Sequence, residues 1–195
     1  MVTAIVLAAG KAERMGAPKL FLPLGGKAVL QWVLESVLAT AVDEVICVVR
    51  DLAAVRAHIS VTDDRLCWLV NDQADAGQSS SVIAGLWALD GRSDGALFVV
   101  GDQPMLSSAL IDALLERFKE VSAPIIAPSF QGEIRNPALF RRELFAELLT
   151  LKGDHGGRAL IKKYRDRVEL VHWNEEATFM DIDNQKDYER IKALA

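Results

Sequence analysis

The sequence has few of the features that mark a secreted, membrane-bound or nucleic-acid-binding chain. Its 195 residues include two cysteines, Cys47 and Cys67. That is too few for a disulfide framework, and their spacing is not that of a metal site. Both lie in apolar, strand-like runs and are expected to be reduced core residues in a reducing compartment. No apolar stretch approaches the roughly 20 residues of a membrane span. The apolar start "TAIVLAAG" follows no basic stretch and is cut short by Lys11. No secretory leader is therefore expected, and the protein is read as cytoplasmic. Positive charge is also in deficit: 22 Lys and Arg against 27 Asp and Glu give a net charge of -5. This excludes bulk attraction to nucleic acid or to an anionic membrane. A local gathering of cations would then have a local role. Three histidines are present. His58 and His172 fall in helix and strand patterns and are read as structural.

A hydrophobic fraction of 51% and a charged fraction of 25% are those of a globular chain. The length suits one domain, residues 1–195. Short apolar runs alternate with helical patterns. Strands are expected at 3–9, 44–49, 66–70, 95–100, 123–128, 168–173 and 178–183, with an extended piece at 136–140. Helical spacing predicts helices over 28–40, 52–59, 79–89, 107–121, 141–151 and 157–166, and a closing helix after Asp183. Continuous apolar strands between amphipathic helices imply a Rossmann-like, three-layer α/β fold with a mostly parallel central sheet. Ligands bind such sheets at the carboxyl ends of the strands. The site is therefore expected after residues 9, 70 and 100. The four tryptophans fall on helix or strand faces and read as core or interface residues.

The segment "VLAAGKAERMGAPKLF" (6–21) joins a buried strand end to a glycine-containing loop with Lys11, Arg14 and Lys19. Gly10 and Gly16 permit positive φ and close ligand approach. The loop matches neither the P-loop nor the dinucleotide-binding glycine pattern. Arg14 offers a planar fork for phosphate oxygens and Lys19 a point charge, whereas Lys11 reads as solvated. In "VVGDQPML", Asp102 follows a buried strand. It is placed either to hold Mg²⁺, which prefers oxygen ligands, or to cap a turn. Asp181 and Asp183 share a face if their run is extended. Asp183 precedes the last helix and is alternatively its N-cap. In "DAGQSSSV", Gly77 permits a tight turn. Ser79 and Ser80 either meet the polar edges of a base or, with Ser81, cap a helix. Asn71 and Asp72 are weaker candidates. In "GDHGGRAL", the glycines around Asp154 and His155 make either a loop whose following helix end takes a phosphate or an ordinary capped loop.

The opening segment resembles the nucleoside-triphosphate transferase signature L-A-[AG]-G-x-x-x-R-M-G-x-x-K, present here as Leu7-Ala8-Ala9-Gly10, Arg14-Met15-Gly16 and Lys19. With "AGQSSSV", "GDQPML", "RNPALF", "GDHGGRALI" and "DIDNQKDY", the chain is similar to the MobA-like molybdenum cofactor nucleotidyltransferases, and among them to the cytidylyltransferase branch. Asn184-Gln185 departs from the usual D-[IV]-D-T-P pattern. The resemblance implies a Mg²⁺-dependent enzyme that moves CMP from CTP onto a phosphate-bearing acceptor, molybdopterin, and releases pyrophosphate. It implies that Leu7, Ala8, Ala9, Gly10, Arg14 and Lys19 hold the nucleotide with Asn71, Gly77, Ser79 and Ser80. Arg14, Lys19 and Asp102 would be catalytic, with Asp102 and, ahead of Asp181, Asp183 as metal ligands. Gln103, Pro104, Asn136, Pro137, Asp154, His155 and Gly156 would face the acceptor. A client molybdoenzyme is a further expected partner. Guanylyl or sugar- or polyol-phosphate transfer, or a non-catalytic nucleotide-binding chaperone, are the alternatives. A nicotinamide-dependent oxidoreductase would need the glycine pattern that is missing after strand one.

Overall fold

The computed structural model describes residues 1–10 and 18–194. The chain opens with β1 (Val2–Ala8), a two-residue hairpin of β2 (Pro23–Leu24) and β3 (Lys27–Ala28), then α1 (Val29–Leu38), β4 (Glu44–Val49) and α2 (Leu52–His58). Next come β5 (Leu66–Val70), α3 (Gln78–Trp87), β6 (Gly95–Val100), α4 (Ser108–Glu120) and β7 (Ile125–Phe130). The last part holds β8 (Glu133–Ile134), β9 (Ala138–Arg141), α5 (Phe145–Leu148), α6 (Arg158–Lys163), β10 (Val168–His172) and α7 (Gln185–Lys192). The main sheet runs β10-β7-β9-β6-β1-β4-β5, with β8 paired to β7. β1 is parallel to both β4 and β6, and β5 and β10 are parallel to their neighbours. Among the described residues, only β9, between β6 and β7, and β8 run antiparallel to their neighbours in this sheet.

Side-chain alternation along β1 feeds two cores. Ala4, Val6 and Ala8 face α1 and α4, whereas Ile5 packs beneath α3 and the α5–α6 region. Helix α1 buries Val29, Leu30, Val33, Leu34 and Val37, the three-and-four spacing that makes one helical face apolar. Each such side chain contributes about 1.5–3 kcal/mol of burial. Register then sets the site. Leu7 lies opposite Val100 and Ala8 opposite Val49, so the central strands end level. Gly101 donates its N–H to the Leu7 carbonyl at 3.0 Å. A side chain at Gly101 would crowd Leu7, Ala8 and Leu30 at 3.2–3.3 Å.

Several expectations need correction. Residues 178–183 form no strand. A 3₁₀ turn spans Glu176–Phe179, and irregular chain follows. Phe179 packs against Phe130 and Ile182 against a separate cluster, so the alternation satisfies two different partners rather than one sheet face. Residues 141–151 give a 3₁₀ turn and a four-residue α5 rather than one helix. The 123–128 strand is shifted to Ile125–Phe130, and the hairpin to β8 was not anticipated. Cys47 is buried, but Cys67 is exposed, because β5 is the sheet edge. Trp87, at the end of α3, is 75% exposed.

Candidate active site

The 3₁₀ turn Lys19–Phe21 places Lys19 beside the carboxyl ends of β1 and β6. Its Nζ lies 2.6 Å from Asp102 Oδ2 and 3.2 Å from Asp183 Oδ1. Lys19 and Asp102 side chains are only 19% and 21% exposed, so their ion pair is poorly screened, whereas Asp183 is 48% exposed. Burial alone would lower the Lys19 pKa. The charges and hydrogen bonds of Asp102 and Asp183 outweigh it and hold the ammonium above its usual range. The neighbouring Asp181 carboxyl is raised, first by burial and then by the like charges of Asp183 and Asp102.

Two backbone features fix the carboxylates. Ile182 N–H donates to the Asp102 carbonyl at 3.1 Å, tying the returning segment to the end of β6. Asn184, not Asp183, caps α7: its side chain accepts from Asp187 N–H at 3.1 Å. Asn184 thus supplies the cap, and the Asp183 carboxylate is left to Lys19. Among the described residues, no three His, Cys, Asp or Glu side chains close on one point. The donor set is two carboxylates already drawn to one cationic nitrogen. It fits a hard divalent ion that keeps water and takes its remaining ligands from phosphate.

Two clefts meet at this cluster. The smaller, about 460 Å³, is lined by Ala9, Gly10, Lys19, Gly77, Ser81 and Asp154. The larger, about 540 Å³, is bordered by Asp181, Asp183, Gln103, Asn136, Arg135 and Arg158 over an apolar floor that includes Phe98 and Phe140. Leu7, Gln78, Val100 and Asp102 border both.

Other expected residues are placed differently. The Ala8 side chain points into the core, 8% exposed, as the strand alternation requires. Asn71, Ser79 and Ser80 line a separate depression of about 440 Å³. The serines do not cap α3: the helix begins at Gln78, with Gly77 in the capping position at φ 97°. Instead, Asn71 Nδ2 donates to the Ser80 and Ser81 hydroxyls at 2.9 and 3.0 Å. Pro104 is buried, and Pro137 follows Asn136 through a cis peptide. Gln103 is 6% exposed. Its Nε2 donates to the Phe179 carbonyl at 3.3 Å, and its Oε1 has no partner among the described residues. Asp154 accepts from Gln78 N–H at 3.3 Å, and Gly156 lies against the Gln78 side chain. Arg14, with Lys11, Met15 and Gly16, lies outside the described residues, as does the His155 side chain. Gln78 and Arg135 border the clefts although the sequence did not single them out, and so does Ser81, read from the sequence only as a helix cap. Gln78 and Ser81 belong to the "AGQSSSV" motif, but spacing alone does not rank them above the neighbouring serines.

The sequence pattern of the MobA-like NTP transferase domain matches residues 4–168. The chain belongs to this family. The transferase is 30% identical to the purine catabolism protein PucB of Bacillus subtilis (strain 168), over 96% of this chain and 94% of that one. It is also 30% identical to a probable molybdenum cofactor guanylyltransferase of Methanosarcina mazei, over 97% and 89%. The crystal structure of Rv0371c in complex with manganese, from Mycobacterium tuberculosis H37Rv, superposes with a TM-score of 0.83 at 26% identity and covers 100% of this chain and 99% of that one. The transferase is a MobA-like nucleotidyltransferase of α/β architecture, and no helix of the described residues is long and apolar enough to cross a membrane.

Proposed function

We propose that the protein moves CMP from CTP onto a terminal phosphate of a molybdopterin-type acceptor, with release of pyrophosphate. The observation that carries this is the Lys19–Asp102–Asp183 cluster at the meeting point of two clefts. The nucleotide belongs in the smaller cleft, beside Ala9, Gly10 and Lys19, and the acceptor in the larger. An acceptor phosphate oxygen bonds to the α-phosphorus. The bond from that phosphorus to the α–β bridging oxygen breaks, and pyrophosphate leaves with the electron pair. A phosphate nucleophile is already an anion near neutral pH, so no side chain has to remove a proton. The barrier is repulsion between two anions, which fixed cations and close alignment lower.

Lys19 supports this role. In the metal-free protein Asp102 and Asp183 hold its pKa above the usual range, so it is charged near neutral pH, and burial keeps its field strong. Asp102 and Asp183 would hold Mg²⁺, which when bound neutralises phosphate charge. The apolar floor of the larger cleft suits an acceptor with a ring body, and Arg135 and Arg158 at its border suit anionic groups. Ala9 supports CTP through the branch resemblance. The guanylyltransferase name of one relative makes GTP the competing nucleotide. A cytoplasmic setting and a client molybdoenzyme complete the proposal.

The test is pyrophosphate release by the purified protein with CTP or GTP, with and without metal-bound molybdopterin, in Mg²⁺ or EDTA. Acceptor-dependent, EDTA-sensitive release that favours CTP is expected. Asp102→Ala and Lys19→Ala should each lose about 10²–10³-fold in kcat/KM with circular dichroism unchanged. Preference for GTP overturns the cytidylyl assignment. No release with any nucleotide overturns the transfer reaction, and full activity in Asp102→Ala removes that carboxylate from the mechanism.

A further inference from the structure

We infer that the side-chain amide of Gln78 touches both substrates where the two clefts meet, and that the loop 153–156 is shaped to hold it there. The inference rests on the nucleotidyl-transfer proposal and adds a residue to it. Of the four residues that border both clefts, Leu7 and Val100 are apolar and Asp102 is an anion. Gln78 alone of these brings a neutral hydrogen-bonding group. Among the described residues its side-chain amide has no hydrogen-bond partner, although its backbone N–H is taken by Asp154. A carboxamide carries two donors and an acceptor. It can therefore donate to a phosphate oxygen of either substrate at a point where a second carboxylate would repel both.

One neighbouring glycine leaves room for this exposed side chain and another for the loop beside it. A Cβ on Gly156 would come within 2.5 Å of Gln78 Oε1 and 3.2 Å of its Cδ. A Cβ on Gly77 would meet Asp154 Oδ1 at 2.6 Å and the Gly153 carbonyl carbon at 2.7 Å. Both glycines have positive φ, 97° at Gly77 and 46° at Gly156. The close approach of the loop to α3 thus depends on Gly77, where backbone atoms would be hit, whereas a side chain at Gly156 would displace the end of the Gln78 side chain. Asp154 and Gly156, expected to face the acceptor directly, act here through Gln78, which makes them positioning residues.

The experiment compares Gln78→Ala, Gln78→Glu, Gly156→Ala and the double variant Gln78→Ala/Gly156→Ala with wild type. The readouts are kcat and KM for nucleotide and acceptor, and calorimetric titration of Mg-CTP. Gln78→Ala should lower kcat/KM about 10–100-fold for both substrates without moving the unfolding midpoint, the value of a hydrogen bond to a charged group. Gln78→Glu should lose more, because it adds an anion facing phosphate. Gly156→Ala should fall in the same direction. The double variant should be no worse than the poorer single, since both act through one side chain. Full activity in Gln78→Ala, or losses that multiply in the double variant, overturns the inference and leaves the transfer reaction standing. If wild type binds Mg-CTP but turns over no acceptor, unchanged affinity in Gln78→Ala overturns it as well. A wild type that binds no nucleoside triphosphate brings down both.

Discussion

A lysine between two aspartates can be structural or can await an anionic ligand, and here the surroundings favour the second role. Asp183 is 48% exposed and Asp102 borders both clefts, so neither carboxylate is sealed by its ion pair. Lys19, Asp102 and Asp183 were singled out in the sequence as charged residues beside apolar runs within a family signature, and the structure brings the three together. Gln78 was not singled out, because a neutral amide leaves no such mark. The serines misled for a physical reason: Ser favours helix caps, but the positive φ at residue 77 demanded glycine there and moved the serines into the first turn. The cysteines make a separate test. Burial pushes the Cys47 thiol far up, so almost no thiolate forms, while Cys67 is exposed on the edge strand. Ellman's reagent is expected to titrate one thiol rapidly in the native protein and two in denaturant. Two fast thiols in the native state would contradict the burial of Cys47.

At the scale of elements, the joint between α3 and the 153–156 loop is closely fitted. Gly77→Ala would force a Cβ into backbone and carboxylate atoms and strain φ, and a cost of about 2–4 kcal/mol is expected. Urea unfolding measures it, and a change under about 0.5 kcal/mol, the range of an ordinary surface substitution, would show that the loop yields freely. Helices and parallel strands up to α4 were legible to within a residue or two, because buried strands are continuously apolar and helices repeat at three and four. The later part was less so. β8 has only two residues, too short for a period, and the Asp181–Asp183 run was read as a strand although its apolar residues serve two separate packing partners.

Across the whole molecule, the chain's last segment closes the site that its first segment opens. Leu24 and Val29 pack with Ile182, Tyr188 and Ile191, and the Tyr188 hydroxyl donates to the Pro23 carbonyl. This small cluster lies outside the two main cores and includes Ile182, the residue before Asp183. Ile191→Ala, fully buried, should cost about 2–5 kcal/mol. It should also lower transferase turnover at temperatures where the variant is still folded. Thermal unfolding and kinetics at room temperature check this, and a destabilised variant with wild-type turnover would show that the cluster does not set the carboxylate. The α/β class followed from the alternation of strand and helix, but the place of β9 did not, because local pattern carries no information on which strands become neighbours.

That place has an evolutionary consequence. β9 is antiparallel to both strands beside it. The turn at 131–132 joins β7 to β8, and residues 135–137 join β8 to β9 along the wall of the larger cleft. Extra residues there would lengthen a turn and leave the parallel ladder of β1, β4, β5 and β6 in register. The larger cleft can therefore be reshaped by editing one short stretch, with the carboxyl ends of β1 and β6 kept as they are.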